Sequence, residues 1–227
     1  PYGTPGIDNQ AAILSPLFDA VGFGQAHQYL QTSIEASGFF ILFDLSGVDD
    51  LENDPEIDVV YEVGGGSGVM DSAGTLVPYQ TMCVQDDSPS IVATEAYIED
   101  GVLHAKFDAI VLLISMFERV YPFTIAETHL MGNISGEGFI TDGVVGGRLS
   151  IEELLNLISK MGQNQGGLTE TMQPIIAGLG DLPSESGECG GMSGALVFDT
   201  VPAFFYPEDS GCDPCGNGTC DVFESCE

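Results

Sequence analysis

The sequence predicts a mainly β protein with helices, of the α+β class. The expected architecture is an antiparallel sandwich or curved sheet covered by helices, plus a small disulfide-stapled tail. Three observations carry this. Residues 101–135 carry the clearest β signal, alternating with period two at 101–107 and again at 122–130, as half-buried strands do. Other short apolar runs are separated by Gly-rich turns. Residues 150–162 carry a capped, amphipathic helix pattern. The core domain is expected over residues 1–206 and the cysteine-rich tail over 207–227. No repeat of 20–50 residues is visible.

Residues 1–10 form a polar lead-in. Residues 11–37 are expected to be helical: Ala11, Ile13, Leu14 and Leu17 share a face, Gly22 and Gly24 interrupt, and Tyr29, Leu30 and Ile34 resume. Residues 39–45 are a short apolar strand buried on both faces. Residues 57–63 return as a strand, with Val59, Tyr61 and Val63 alternating against Asp58, Val60 and Glu62. Residues 77–84 and 91–98 are further strands. Residues 101–107 alternate, and 110–116 are an apolar run interrupted only by Ser115. In 122–130 strict alternation puts Phe123, Ile125, Glu127 and His129 on one face. Thr124, Ala126, Thr128 and Leu130 take the other. Ser150 and Glu153 form a capping box, and Ile151, Leu154, Leu155, Ile158 and Met161 form the helical stripe that Gly162 closes. Residues 168–179 are a second helix weakened by Pro174. Residues 195–198 and 203–206 are closing strands. The Gly-rich stretches at 64–68 and 143–147 lack phosphate-loop spacing and are expected to be turns.

Charge excludes some functions at once. The chain holds 35 acidic and 4 basic residues, a formal net charge of −31. Nucleic-acid binding by phosphate neutralisation needs clustered Lys and Arg, and docking on an anionic membrane needs the same. Hydrophobic residues still make up 44%, enough for a packed core rather than a disordered acidic chain. No apolar run reaches the ~18 residues of a membrane span. Only Lys106, Arg119, Arg148 and Lys160 can neutralise acids internally. Self-repulsion is therefore offset by salt or bound divalent ions.

The six cysteines are Cys83, Cys189, Cys212, Cys215, Cys220 and Cys226, four of them in the last sixteen residues. An even count with a terminal cluster reads as disulfides in an oxidising space. A start at Pro1 fits a processed N-terminus. Secretion or cell-surface display is the expectation. Four tail cysteines allow three pairings, and Cys83 could pair with Cys189 across the core.

The runs 97–103, 126–135 and 140–147, with 42–50 and 194–203, resemble uncharacterised exported proteins and lipoproteins of myxobacteria and related bacteria. The likeness spans roughly residues 13–206 and implies export with no assigned activity. The tail Cys215-Gly216-Asn217-Gly218-Thr219-Cys220, with Glu224 and Cys226, resembles the C-G-N-G-x-C-x-x-x-E-x-C repeat of secreted bacterial proteins.

Two acidic sets are candidate calcium ligands, since hard cations take oxygen donors. One is Asp49, Asp50, Glu52 and Asp54, within a loop of six carboxylates at residues 49–58. It lacks EF-hand spacing, because Pro55 stands where Gly is required. The other is Asp213, Asn217, Asp221 and Glu224 in the tail. The competing expectations are a solvated charge run and a plain disulfide staple. His27, His104 and His129 show no helical metal spacing, although His104 and His129 could meet across a sheet. Gly66-Ser67-Gly68 and Gly191-Met192-Ser193-Gly194 fall short of a nucleophile elbow. The sequence thus favours a non-enzymatic, calcium-stabilised structural protein that self-associates in an extracellular filament or surface layer. Its alternative is an extracellular module for a lipid or carbohydrate ligand; a hydrolase ranks third.

Overall fold

The computed structural model describes residues 9–16, 40–65, 68–84, 89–116, 119–162, 168–183 and 189–205. The described residues are mostly strand, as expected. A first sheet has the order β1 (Phe40–Ser46), β2 (Asp58–Gly65), β3 (Gln80–Val84), β10 (Ala203–Phe205), with β4 (Ile91–Val92) also on β2. A second has the order β5 (Glu95–Glu99), β6 (Val102–Met116), β7 (Arg119–Ile134), β8 (Ile140–Ser150), β9 (Gly191–Phe198). The second sheet is an antiparallel meander, whereas β10 runs parallel to β3. The chain passes directly from one sheet to the other: Ala93 N–H bonds the Val59 carbonyl at 2.8 Å, and Thr94 N–H bonds the Lys106 carbonyl at 2.7 Å.

One apolar core joins both sheets and the helices. Val59, Tyr61 and Val63 of β2 meet Leu103, Ala105, Phe107, Ile110 and Leu112 of β6 in it. The Tyr61 hydroxyl donates to the Val111 carbonyl at 2.7 Å, a polar tie between the sheets. Burial of Tyr61 pushes its phenol well above the ordinary range. Strand β1 is clothed on both sides: Phe40 and Leu42 pack with Met82 in a second cluster, while Ile41, Phe43 and Leu45 pack on the main core. The apolar runs at 39–45 and 110–116 thus supply Phe40, Leu42, Ile110 and Leu112 to packed cores.

Helix α1 (Ile151–Gly162) starts where expected, with Glu153 N–H bonded to Ser150 Oγ at 3.2 Å. The box is half made, because Glu153 Oε1 reaches across to the Thr124 N–H and hydroxyl at 3.2 and 3.1 Å. Ile151, Leu154 and Ile158 of α1, with Met172 and Ile176 of α2 (Leu168–Ala177), enter the main core. Of the N-terminal helix, only a 3-10 turn at Gln10–Ile13 and residues 14–16 are described.

Three expectations need correction. In the stretch at 64–68, Gly64 and Gly65 belong to β2, paired with Val84 and Cys83 of β3, not to a turn. Residues 143–147 are not a turn; they lie inside β8, paired with β9. A Cβ on Gly143 would sit 2.7 Å from the Phe198 ring, and one on Gly147 would sit 2.6 Å from the Ala126 carbonyl oxygen. Close approach, not turn geometry, is what these glycines provide. The strict alternation over 122–130 also fails. Phe123 and Ile125 are buried, then Thr128 and Leu130. The β7–β8 register shifts between Ala126 and His129, and Glu127 takes a φ of 51°. One extra residue in a strand flips every later side chain to the other face.

Candidate functional site

In the acidic loop at 49–58, Asp54 is the organising group. Its carboxylate is buried in the loop and accepts backbone N–H groups of Asp49 at 2.7 Å, Asp50 at 3.3 Å and Glu56 at 3.4 Å. The Asp49 N–H, foremost, holds its carboxyl below the ordinary value of 3.8; burial opposes it, and Asp50 and Glu56 add smaller pulls. Its own backbone pairs with Ile98, at 2.9 and 2.8 Å, so the loop closes the free edge of β5. Asp49, Asp50 and Glu52 are exposed, and Asp50 Oδ1 accepts the Glu52 N–H. Among the described residues no group of three or more His, Cys, Asp or Glu side chains stands in a metal-holding arrangement. Asp213, Asn217, Asp221 and Glu224 lie outside the described residues, as do Cys212, Cys215, Cys220 and Cys226.

Replacing Asp54 by Ala is expected to lower the thermal unfolding midpoint at pH 7. Asp49→Ala, whose exposed side chain braces nothing described, should leave it near wild type. A carboxyl held low stabilises the fold above its unfolded pKa and loses that contribution as pH falls through the folded value. The gap between the two variants, read by circular dichroism, should therefore narrow below about pH 4.

Cys83 is disulfide-bonded, and Cys189 is an exposed free thiol. The two are therefore not joined to each other. Ser193 is buried on β9; its N–H and hydroxyl both go to the Asp181 carboxylate, at 2.7 and 2.5 Å, and its Oγ accepts the Gln10 N–H. Those bonds tie the N-terminal turn and residue 181 to β9. His104 and His129 are not cross-strand partners: His104 faces Met131 and His129 faces Lys106. The His104 ring instead stacks on Tyr97, with centroids 4.8 Å apart.

The pairing registers reveal a surface that linear patterning missed. Tyr97 pairs with His104, His104 with Met131, Met131 with Val144, and Val144 with Val197. Their neighbours Ile98, Leu103, Ala105, Leu130 and Val145 are buried, so these five side chains lie on the outer face. They form a row across all five strands, about 19 Å wide at the usual strand spacing. Val197 is 75% exposed and Met131 39%. Beside the row, Lys106 pairs with Glu95 and Arg148 with Glu127. The other flank carries Glu99, Asn133 and Asp142, with Asn133 bonded to Asp142 at 3.2 Å. A second exposed feature is the Tyr79–Phe204 ring pair, with centroids 6.4 Å apart. Tyr79 there holds a φ of 64°, its N–H bonded to the Pro202 carbonyl.

No protein-family model matches the chain, and no curated protein or solved structure is significantly similar to it.

Proposed function

We propose that the chain is an exported, non-enzymatic structural protein that assembles at a cell surface or in an extracellular layer, with calcium offsetting its charge. The observation that carries this is where its best-placed polar side chains go. Asp54, Asp71, Asp181, Gln80 and Asn9 all bond backbone groups of loops and strand edges. They act as braces, which is what a load-carrying β scaffold needs in order to keep its edges and loops fixed. The disulfide at Cys83 supports an oxidising compartment. A net charge of −31 opposes association in dilute salt, so assembly of such a chain requires screening or divalent ions between carboxylates.

Sedimentation velocity of the oxidised protein tests this, first in excess calcium, then in chelator, then in about 1 M NaCl, where the screening length falls to about 3 Å. The expected result is a larger species in calcium that reverts in chelator. A monomer in all three conditions overturns the proposal and moves attention to the Tyr79–Phe204 pair as a ligand platform.

A further inference from the structure

We propose that the outer face of the second sheet is a docking surface for a second copy of this chain, centred on the row Tyr97, His104, Met131, Val144 and Val197. The inference rests on the assembly reading above and names the surface that performs it.

The first argument is electrostatic. A second copy arrives with the same charge of −31, so it is repelled wherever carboxylates stand alone. The chain has four basic residues, and two of them, Lys106 and Arg148, stand on this face, each ion-paired beside the apolar row. That flank is locally compensated in a molecule whose acids outnumber its bases 35 to 4. Along this flank the two ion pairs lower the repulsion that a like-charged partner meets, and apolar contact supplies the attraction.

The second argument is geometric. Both edges of this sheet are covered by the chain itself. On the β5 side, Asp54 pairs with Ile98, and the Ile57 N–H bonds the Ala96 carbonyl. On the β9 side, the Asn9 amide both donates to the Ala195 carbonyl and accepts its N–H, at 3.1 and 3.2 Å, imitating a neighbouring strand. Leu182 bridges Gly191 further along the same edge. Edge-to-edge extension is thereby blocked where these caps sit. The broad face remains, and two such faces pack about 10 Å apart as the sheets of a sandwich do. The same patch on both copies satisfies a twofold interface.

A face one sheet wide lies at the small end of specific interfaces, so the measurement belongs at about 100 μM protein. Sedimentation equilibrium in about 1 M NaCl and in excess calcium would compare wild type, Val197→Glu and Val92→Glu. Val92 is another exposed apolar residue, on the first sheet, at 59%. Val197→Glu should weaken association by about tenfold or more, because it sets unpaired charges inside an apolar contact. Val92→Glu should not. Since Val197 is three-quarters exposed, the substitution leaves the core intact, which circular dichroism verifies. Wild-type association that survives Val197→Glu overturns this surface but spares the assembly reading. A wild type that stays monomeric under every condition overturns both.

Discussion

Tyr61→Ala should destabilise the protein by about 3–5 kcal/mol, the scale for deleting a fully buried aromatic ring. Tyr61 has no exposed surface and packs edge-on to Phe43 with centroids 6.0 Å apart, in the core between the sheets. Tyr61→Phe isolates the polar part of that cost. It removes the hydroxyl and leaves the Val111 carbonyl without this donor, for a loss of about 1–2 kcal/mol. Urea unfolding of the three proteins gives both numbers; equal stabilities for wild type and the Phe variant would show that the hydroxyl tie contributes nothing.

The same residue sets an alkaline limit. Burial holds the folded-state phenol neutral far past the ordinary tyrosine value of 10.0. Above pH 10 the unfolded chain releases that proton while the folded chain keeps it. The contribution is therefore fully present below pH 10 and declines as pH rises beyond it, at about 1.4 kcal/mol per pH unit for one group. The Phe variant should show a shallower decline.

Ile176→Ala should cost about 2–5 kcal/mol, and Ile175→Ala less than about 1 kcal/mol. The two isoleucines are adjacent on α2, yet Ile176 is fully buried in the main core and Ile175 is 37% exposed. Ile176 packs in the same cluster as Leu154 and Ile158 of α1 and Met192 of β9. Truncating it opens a cavity where α2 joins the helix pair to the sheet. Thermal unfolding of both variants checks the asymmetry; similar shifts for both would mean that α2 is not anchored through this face.

Much of the fold was legible in the sequence because local periodicity reports local geometry. Leu103, Ala105 and Phe107 are buried as their alternation requires, and Ser150 caps α1 as its spacing requires. What failed had a common origin. Gly143 and Gly147 resemble turn residues in composition, but inside β8 they exist to let Phe198 and the Ala126 carbonyl approach. Glu127 carries no local mark that sets its φ positive, yet that residue flips the remainder of β7.

The candidate surface divides the same way. Cysteine content, acidity and the dense loop at 49–58 are properties of the chain, so composition displayed them. Asp54 was visible as one acid among six, but not as the group that gathers three backbone N–H groups. The row from Tyr97 to Val197 draws one residue from each of five strands spread over a hundred positions. By itself the sequence determined the β-rich class, the capped helix α1 and the acidic balance, because each depends on neighbours within a few residues or on composition alone. Only the tertiary structure decided the register, and with it which side chains share a face. Strand pairing joins residues distant in sequence, and a one-residue slip in that pairing exchanges the inner surface for the outer.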